Sequence, residues 1–348
     1  MITSCFWQSL FQFFLKTRLM KICCFGEILL RLSPPNGLRL VQTNAFDAHY
    51  GGSEANVAIS LAQLGVDARF VTRLPAHELG QAALGALSRY GVQTSHCVAG
   101  GDRLGLYFLE SGAGRRGSKV LYDRRGSGMS DLVPGMVPWR EVLDGMDWLH
   151  WSGITSALSQ SAADATLEAL EIASELGLHI SCDLNYRGQL WQYASPEKVM
   201  PALTGFVDLM LGDATAFELY YGIRAKDQED LLRRVMDKFP RLSWVAMTSR
   251  EGYSATHNAY QGFLYDGQQI FASPSYELPD MLDRIGGGDA FMAGLLFGLG
   301  NGATSQESVE FAAAAAALKH YIRGDFNLAS EPEIRALMAG NTGGRVQR

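Results

Sequence analysis

The stretch from Asp283 to Gly302, DRIGGGDAFMAGLLFGLGNG, sets three consecutive glycines before an aspartate and an apolar helical run. A helix that begins at Gly287 or Gly288 leaves the amides of its first turn unpaired, and glycines put no Cβ between those amides and an arriving anion. The positive end of the helix dipole adds to the attraction, so the place suits a phosphate or a developing oxyanion. Asp289 is a poor counter-charge for such an anion but a suitable proton acceptor. It would take the proton of an attacking hydroxyl while the amides of Gly286, Gly287 and Gly288 hold a transferred phosphoryl group. On the local pattern alone, an aspartate that only complements the dipole after a loose glycine turn fits equally well. A dinucleotide-binding fingerprint is excluded by spacing, because Gly286 and Gly288 would need a glycine or alanine at the position of Phe291.

Other stretches carry polar residues at places where a ligand could meet them. YGGSEANVAISLAQLG puts Gly51, Gly52 and Asn56 at a strand-to-helix turn, which by itself reads as a glycine turn with Ser53 as the helix cap. YDRRGSGMS carries Tyr122, Arg124 and Arg125, and CDLNYRGQLW carries Asp183, Asn185 and Arg187 just beyond a buried apolar run. The planar fork of an arginine suits a carboxylate. Any single one of these arginines fits an ordinary surface residue better.

DRIGGGDAF resembles the C-terminal signature Asp-Thr-x-Gly-Ala-Gly-Asp-x-Phe of the ribokinase-type (PfkB) carbohydrate kinases. Asp283, Gly286, Gly288, Asp289 and Phe291 match it, with Arg284 in place of the common threonine and Gly287 in place of the common alanine. GGSEANVA resembles the family's Gly-Gly-x-x-x-Asn-x-Ala motif, which implies that Gly51, Gly52 and Asn56 bind sugar hydroxyls. The resemblance runs from Lys21 into the 330s. It implies a ribokinase-like α/β fold, ATP with Mg²⁺ as phosphoryl donor, and Asp289 as the base.

The two arginine-bearing stretches are similar to the family's 2-keto-3-deoxygluconate kinase branch. That likeness implies contacts to a sugar acid from Tyr107, Tyr122, Arg124 and Arg187, with Arg187 also facing the ATP phosphates. In ALKHYIRGDFN the same branch implies Asp325 as a hydroxyl partner. By position, MTSREG resembles the loop that meets ATP phosphates and ribose, through Thr248, Arg250 and Gly252, and the alanine run at 312–317 would line the adenine slot. The family's Asn-x-x-Glu motif, tied to magnesium, is altered: Asp213 stands for the asparagine and Ala216 for the glutamate, with Glu218 two residues on. Either Asp213 or Glu218 would support Mg²⁺ through water, or the ATP phosphates would hold the ion. The expected reaction is phosphorylation of the terminal hydroxyl of a sugar acid, 2-dehydro-3-deoxy-D-gluconate foremost. A fructokinase- or ribokinase-type enzyme for a neutral sugar, and a catalytically silent sugar-acid-binding module, are the alternatives.

These residues need a scaffold. Short apolar runs at 22–25, 68–72, 148–152, 179–183, 209–212 and 244–248 read as strands buried on both faces. Helical patterns at 53–64, 78–90, 162–176 and 227–238 alternate with them, the first three followed by Gly65, Gly91 and Gly177. This alternation predicts a doubly wound, mostly parallel sheet with helices on both faces and ligands at the carboxyl ends of its strands. Two segments, 31–50 and 104–125, carry alternating pieces (GLRLVQ, GLYFLE, SKVLYD) that predict a small antiparallel sheet acting as a lid. An exposed apolar face on such a lid predicts pairing into a homodimer or a higher homo-oligomer.

Composition narrows the class further. With 348 residues, 47% hydrophobic and 19% charged, the chain is globular, and 20–340 reads as one kinase-sized α/β domain. A net charge of −6 without a basic tract argues against nucleic acid as a partner. The five cysteines lack zinc spacing, and Cys23 and Cys24 sit inside an apolar run, as thiols do in a reducing compartment. Residues 1–19 have neither a positive start nor a cleavage site and are too short and interrupted to span a bilayer, so a disordered extension is expected. The partners expected are a sugar acid and ATP in the cytoplasm, with no membrane.

Overall fold

The computed structural model describes residues 19–341, and the extension expected at 1–19 lies outside them apart from Leu19. Along the chain the strands are β1 (Lys21–Phe25), β2 (Leu29–Ser33), β3 (Asp47–Gly51), β4 (Asp67–Val71), β5 (Arg73–Leu74), β6 (Val98–Ala99), β7 (Leu106–Glu110), β8 (Lys119–Asp123) and β9 (Trp148–Ser152). They continue with β10 (His179–Asp183), β11 (Leu209–Leu211), β12 (Trp244–Gly252), β13 (Asn258–Tyr265), β14 (Ile270–Ala272) and β15 (Tyr276–Leu278). The helices are α1 (Ser53–Gln63), α2 (Glu78–Arg89), α3 (Trp139–Leu143), α4 (Gly153–Leu158), α5 (Gln160–Glu175) and α6 (Pro196–Thr204). After them come α7 (Ala214–Tyr221), α8 (Gln228–Lys238), α9 (Gly287–Gly300), α10 (Ser305–Lys319) and α11 (Glu331–Met338).

The main sheet has the order β14-β13-β12-β11-β10-β9-β1-β4, with β15 also paired to β13. From β4 to β12 every pairing is parallel. Alternate residues of β1 feed two different cores: Cys23 and Phe25 pack with Trp139, Leu170 and Phe217, while Ile22 and Cys24 pack with Ile59, Leu295 and Ala313. A strand buried on both faces therefore reads as a continuous apolar run, and the helices divide between the two faces.

The far edge of the sheet departs from the expected alternation. β12 does not end at Thr248 but runs to Gly252, because the chain folds back at Tyr253–His257, where Tyr253 N donates to His257 O at 3.0 Å, and pairs antiparallel as β13. β14 and β15 then add antiparallel to β13.

The lid is a second sheet of order β3-β2-β7-β8. It is mixed rather than antiparallel, since β2 and β7 run parallel. GLRLVQ is not one of its strands. Pro34 and Pro35 open a short 3₁₀ turn with Asn36 at φ 55°, and Val41 is left exposed, so the strands fall on either side of this segment. The lid's inner face joins Leu29, Tyr107 and Leu109 with Val120 and with Ile285 of the glycine turn.

The alanines at 312–317 are buried and line no part of the cavity described below, which corrects the expected adenine slot. Their small size lets α10 lie close on α9: a Cβ added to Gly294 would sit 2.5 Å from Ala312 Cα. Because the obstacle is backbone, Gly294→Ala is expected to cost about 1–3 kcal/mol of stability. A lower denaturant midpoint with an unchanged slope is the result that checks it.

Candidate active site

A cavity of about 670 Å³ opens between the carboxyl ends of the parallel strands and the inner face of the lid. At its floor α9 begins. Gly286 is the residue before the helix, at φ 84°, and no side chain caps the helix start. The first helical bond is Ala290 N to Gly286 O at 2.9 Å, so the amides of Gly287, Gly288 and Asp289 have no partner within the helix. Gly286 must be glycine twice over: its φ is left-handed, and a Cβ would meet Asp325 O at 2.0 Å. Gly288 is different. Nothing lies within 4 Å of where its Cβ would be, and it lines the cavity, so its bareness leaves room rather than relieving a contact.

Asp289 sits in the first turn of α9, 9% exposed. Its Oδ1 accepts from Ser53 Oγ at 3.0 Å and its Oδ2 from Asn56 Nδ2 at 2.7 Å, both from the first turn of α1. Asn185 Nδ2 donates to the same Ser53 Oγ at 3.1 Å, and Asp183 accepts from both nitrogens of Asn185, at 3.0 and 3.2 Å. A continuous polar chain thus leads from the end of β10 to Asp289. Burial, despite the Asn56 and Ser53 hydrogen bonds, pushes the Asp289 carboxyl up to about 6. Burial and then the neighbouring Asp289 charge push Asp183 up to about 7.

Glu54, next to Ser53, is fully enclosed and burial pushes it to about 7, although its Oε1 accepts from Ser152 N, Ser152 Oγ and Thr155 Oγ1. These raised groups take up protons on folding. Their contribution to stability is complete below the ordinary carboxyl range and is lost as pH rises through about 6 to 7.

Most residues singled out in the sequence line the cavity: Gly52, Asn56, Tyr107, Tyr122, Arg124, Arg187, Asp213, Thr248, Arg250, the three glycines 286–288, Asp289 and Asp325. Their partners refine several roles. Asp325 accepts from Arg31 Nη1 at 2.9 Å and, on its other oxygen, from the Tyr107 hydroxyl, so both oxygens are already engaged within the protein. Arg124 forms a buried ion pair with Glu27. Arg124 Nε and Glu27 Oε1 are nonetheless buried without a hydrogen-bond partner. Arg250 stacks on Tyr260 with 5.4 Å from its guanidinium carbon to the ring centroid. Arg187, Arg250 and Arg284 line the cavity and form no ion pair with a described residue.

Three expected site residues stand outside the cavity lining. Gly51 ends β3, where a Cβ would meet the Asp325 carboxylate at 2.0 Å, so it permits the close approach of that carboxylate to the backbone. Gly252 lies at the exposed tip of β12 opposite Asn258, two residues beyond Arg250 and about 7 Å further along the strand. Glu218 points to solvent and pairs with Arg224 at 2.8 Å. Asp213 does line the cavity, but one of its oxygens caps α7 by accepting from Ala216 N at 2.7 Å. Among the described residues no group of three or more His, Cys, Asp or Glu side chains could hold a metal ion.

Sequence reasoning missed Ser53, Glu54, Glu27, Arg31 and Lys319 as members of this neighbourhood. Ser53 stood in plain view beside the glycines, but as a helix cap. The others are ordinary charged letters in apolar segments until the fold buries them.

The arrangement can deprotonate a hydroxyl at Asp289 while bare amides and arginines receive a phosphoryl group. A carboxylate acts as a base only when ionised, so with Asp289 in that role kcat/KM is expected to fall about tenfold per pH unit as pH drops below about 6. A pH–rate profile of the free enzyme, flat across that region, would remove Asp289 from the role.

The pfkB family carbohydrate kinase model matches residues 19–324. A crystal structure of 2-dehydro-3-deoxygluconokinase from Thermotoga maritima superposes with a TM-score of 0.89 at 43% identity, over 92% of this chain and 100% of that one. A PfkB family carbohydrate kinase from Listeria grayi superposes at 0.88 with 36% identity, over 92% and 99%. In sequence, the 2-dehydro-3-deoxygalactonokinase of Haloferax volcanii is 28% identical over 324 residues, 93% of this chain and 98% of that protein. An uncapped glycine helix start beside a buried carboxylate, in a chain matched over this length, has one reading: the chain belongs to the pfkB family of carbohydrate kinases.

Proposed function

We propose that this kinase transfers the γ-phosphoryl group of ATP to the terminal hydroxyl of a 2-keto-3-deoxy sugar acid, 2-dehydro-3-deoxy-D-gluconate giving its 6-phosphate. The observation that carries the reaction is Asp289, fixed by Ser53 and Asn56 at an uncapped helix start. Asp289 takes the proton as the acceptor oxygen bonds to phosphorus. The bond to the ADP oxygen breaks, and ADP leaves with that electron pair. Amides at the start of α9 hold the equatorial oxygens during transfer, and the proton later passes from Asp289 to solvent.

The cavity fits a triphosphate on its own terms, with bare amides and with Arg250 and Arg284 unpaired by any described acid. For Mg²⁺ the described residues offer no cage of their own. The ion would arrive on the nucleotide phosphates and supply charge neutralisation there, with the second oxygen of Asp213 available to one of its waters. Structures of this fold solved with nucleotide include a fructokinase from Xylella fastidiosa with ATP and an E. coli protein named as a putative ribokinase II with ATP and magnesium. Closure of the lid over the cavity would exclude water from the acceptor position. In the same reading two copies pair through the outer face of the lid, where Phe46 and Leu121 remain exposed.

Support for a sugar acid comes from Arg187, unpaired at the cavity rim, and from the Arg124 Nε donor that lacks a partner. The similar proteins named for 2-keto-3-deoxy acids point the same way. One observation favours a neutral sugar instead: Glu27 already neutralises Arg124. An ADP-release assay over a panel of sugars and sugar acids separates the two, and turnover of fructose or ribose without turnover of the keto-deoxy acids would reject the acid.

On the preferred substrate, Asp289→Asn is expected to lower kcat by about three orders of magnitude or more with ATP affinity little changed. Arg187→Lys keeps the charge but loses the fork, so its kcat/KM should fall well beyond about twofold. A smaller change would count against a forked contact.

A further inference from the structure

Lys319 ends α10 with no exposed surface, 0%, although an ammonium group enters a protein interior only at a cost. It does not line the cavity, and the reading of the site above leaves it unused. Its Nζ donates to Ile322 O at 2.9 Å. Its Cε lies directly behind the glycine turn, 3.1 Å from where a Cβ of Gly286 would be. Its charge is felt by four groups, none of them in an ion pair with it: Asp283 from the turn, Asp325 from the segment after α10, Arg31 from β2 and Asp289 from α9. Asp283 and Asp325 share Arg31, at 2.7 and 2.9 Å. Arg31, Asp283 and Asp325 thus form one buried ion-paired group beside Lys319 at the back of the turn.

The turn itself is laid onto the segment that Lys319 opens. Leu282 N and Asp283 N both donate to His320 O, at 2.9 and 3.1 Å. Asp283 Oδ1 accepts from Ile285 N and its Oδ2 from Gly324 N, each at 3.1 Å. Replacing buried ions by apolar groups of similar volume is commonly neutral or stabilising, so stability alone does not account for a lysine here.

We infer that Lys319 is a positioning residue for phosphoryl transfer: acting through Asp283 and the Gly286 backbone, its buried ammonium fixes the glycine turn in the shape that receives the moving phosphoryl group. This rests on the kinase reading of the same site. The charge also acts on Asp289 and favours its ionised form, more weakly than Asp325 and Arg187, which face the same carboxylate with Asp183 beyond Asn185. His320, the next residue, is held down to about 4 by burial and stays neutral where Asp289 titrates, and Tyr107 is raised far out of that window.

The test compares the wild type with Lys319→Gln, which keeps a donor for Ile322 O without the charge, and Lys319→Arg, which keeps the charge. Turnover is followed with whichever sugar or sugar acid the wild type phosphorylates, and the Asp289 carboxyl is titrated directly by ¹³C NMR without substrate. Lys319→Gln is expected to lower kcat about tenfold or more with KM for both substrates within about threefold. Its Asp289 titration and the acid limb of kcat/KM should move up by about half a pH unit or more, while Lys319→Arg leaves both near the wild-type position. If the glutamine variant is insoluble, Lys319→Met, which keeps the stem and removes the charge, replaces it under the same criteria. A folded, uncharged variant with kcat within about twofold of wild type and an unmoved Asp289 titration overturns the inference. A wild type active only on neutral sugars would reject the sugar-acid reading alone, because this comparison uses the active substrate and the titration needs none.

Discussion

A helix start that no side chain caps governs the design of this molecule. α9 begins with Gly286 in a left-handed conformation and with the residues of its first turn lining the cavity. Unpaired amides inside a protein are costly, and the usual remedy is a serine, threonine or aspartate one residue before the helix. Here the residue in that place has no side chain at all. The turn is held instead from behind, by His320 O, by Asp283 bridging to Gly324, and by contact between Gly286 and Asp325 O. Those supports leave the amides unsatisfied in a place where a phosphoryl group can satisfy them.

The same constraint explains how a carboxylate comes to lie beside the anion site. Asp289 belongs to the exposed first turn by sequence but is buried by α1, whose Ser53 and Asn56 each take one of its oxygens. Two donors hold it in place, yet they do not fully offset the loss of water, so the group is raised toward neutrality while remaining ionised at ordinary pH. That balance suits a base. Glycines at 26, 51 and 52 let the Glu54 carboxylate, the Asp325 carboxylate and the Glu27 carbonyl, respectively, approach the backbone at distances that a Cβ would forbid. The N-terminal glycine pair therefore acts through close packing of backbone and polar groups, and Gly52 also lines the cavity.

Charge is distributed unevenly around the cavity. On the lid side, Arg31 and Arg124 are each buried and matched by acids, Arg31 by Asp283 and Asp325 and Arg124 by Glu27. Toward the glycine turn, Arg187, Arg250 and Arg284 have no such acid. Matched arginines fix the shape of the lid against the main domain, and unmatched ones are left for a ligand's charge. Arg250 is aimed by its place in β12, which continues past the expected strand end because β13 pairs with it as far as Gly252.

The sequence by itself determined the alternating strands and helices of the parallel sheet, the start of α9 and the pairing of a glycine-rich turn with Asp289. Each follows from local rules: apolar runs for buried strands, glycine for open turns, and backbone geometry for helix starts. It also separated a lid from the main domain, although it put one lid strand at GLRLVQ, where two prolines and Asn36 make a turn. What only the tertiary structure decided was which polar residues meet. Arg31 and Asp325 are 294 positions apart, and Ser53 and Asp289 are 236 apart, yet they are hydrogen-bonded partners. Spacing along the chain carries no information about such pairs, because they are set by the packing of whole elements. The burial that raises Asp289, engages both oxygens of Asp325 and encloses Lys319 exists only once those elements have come together.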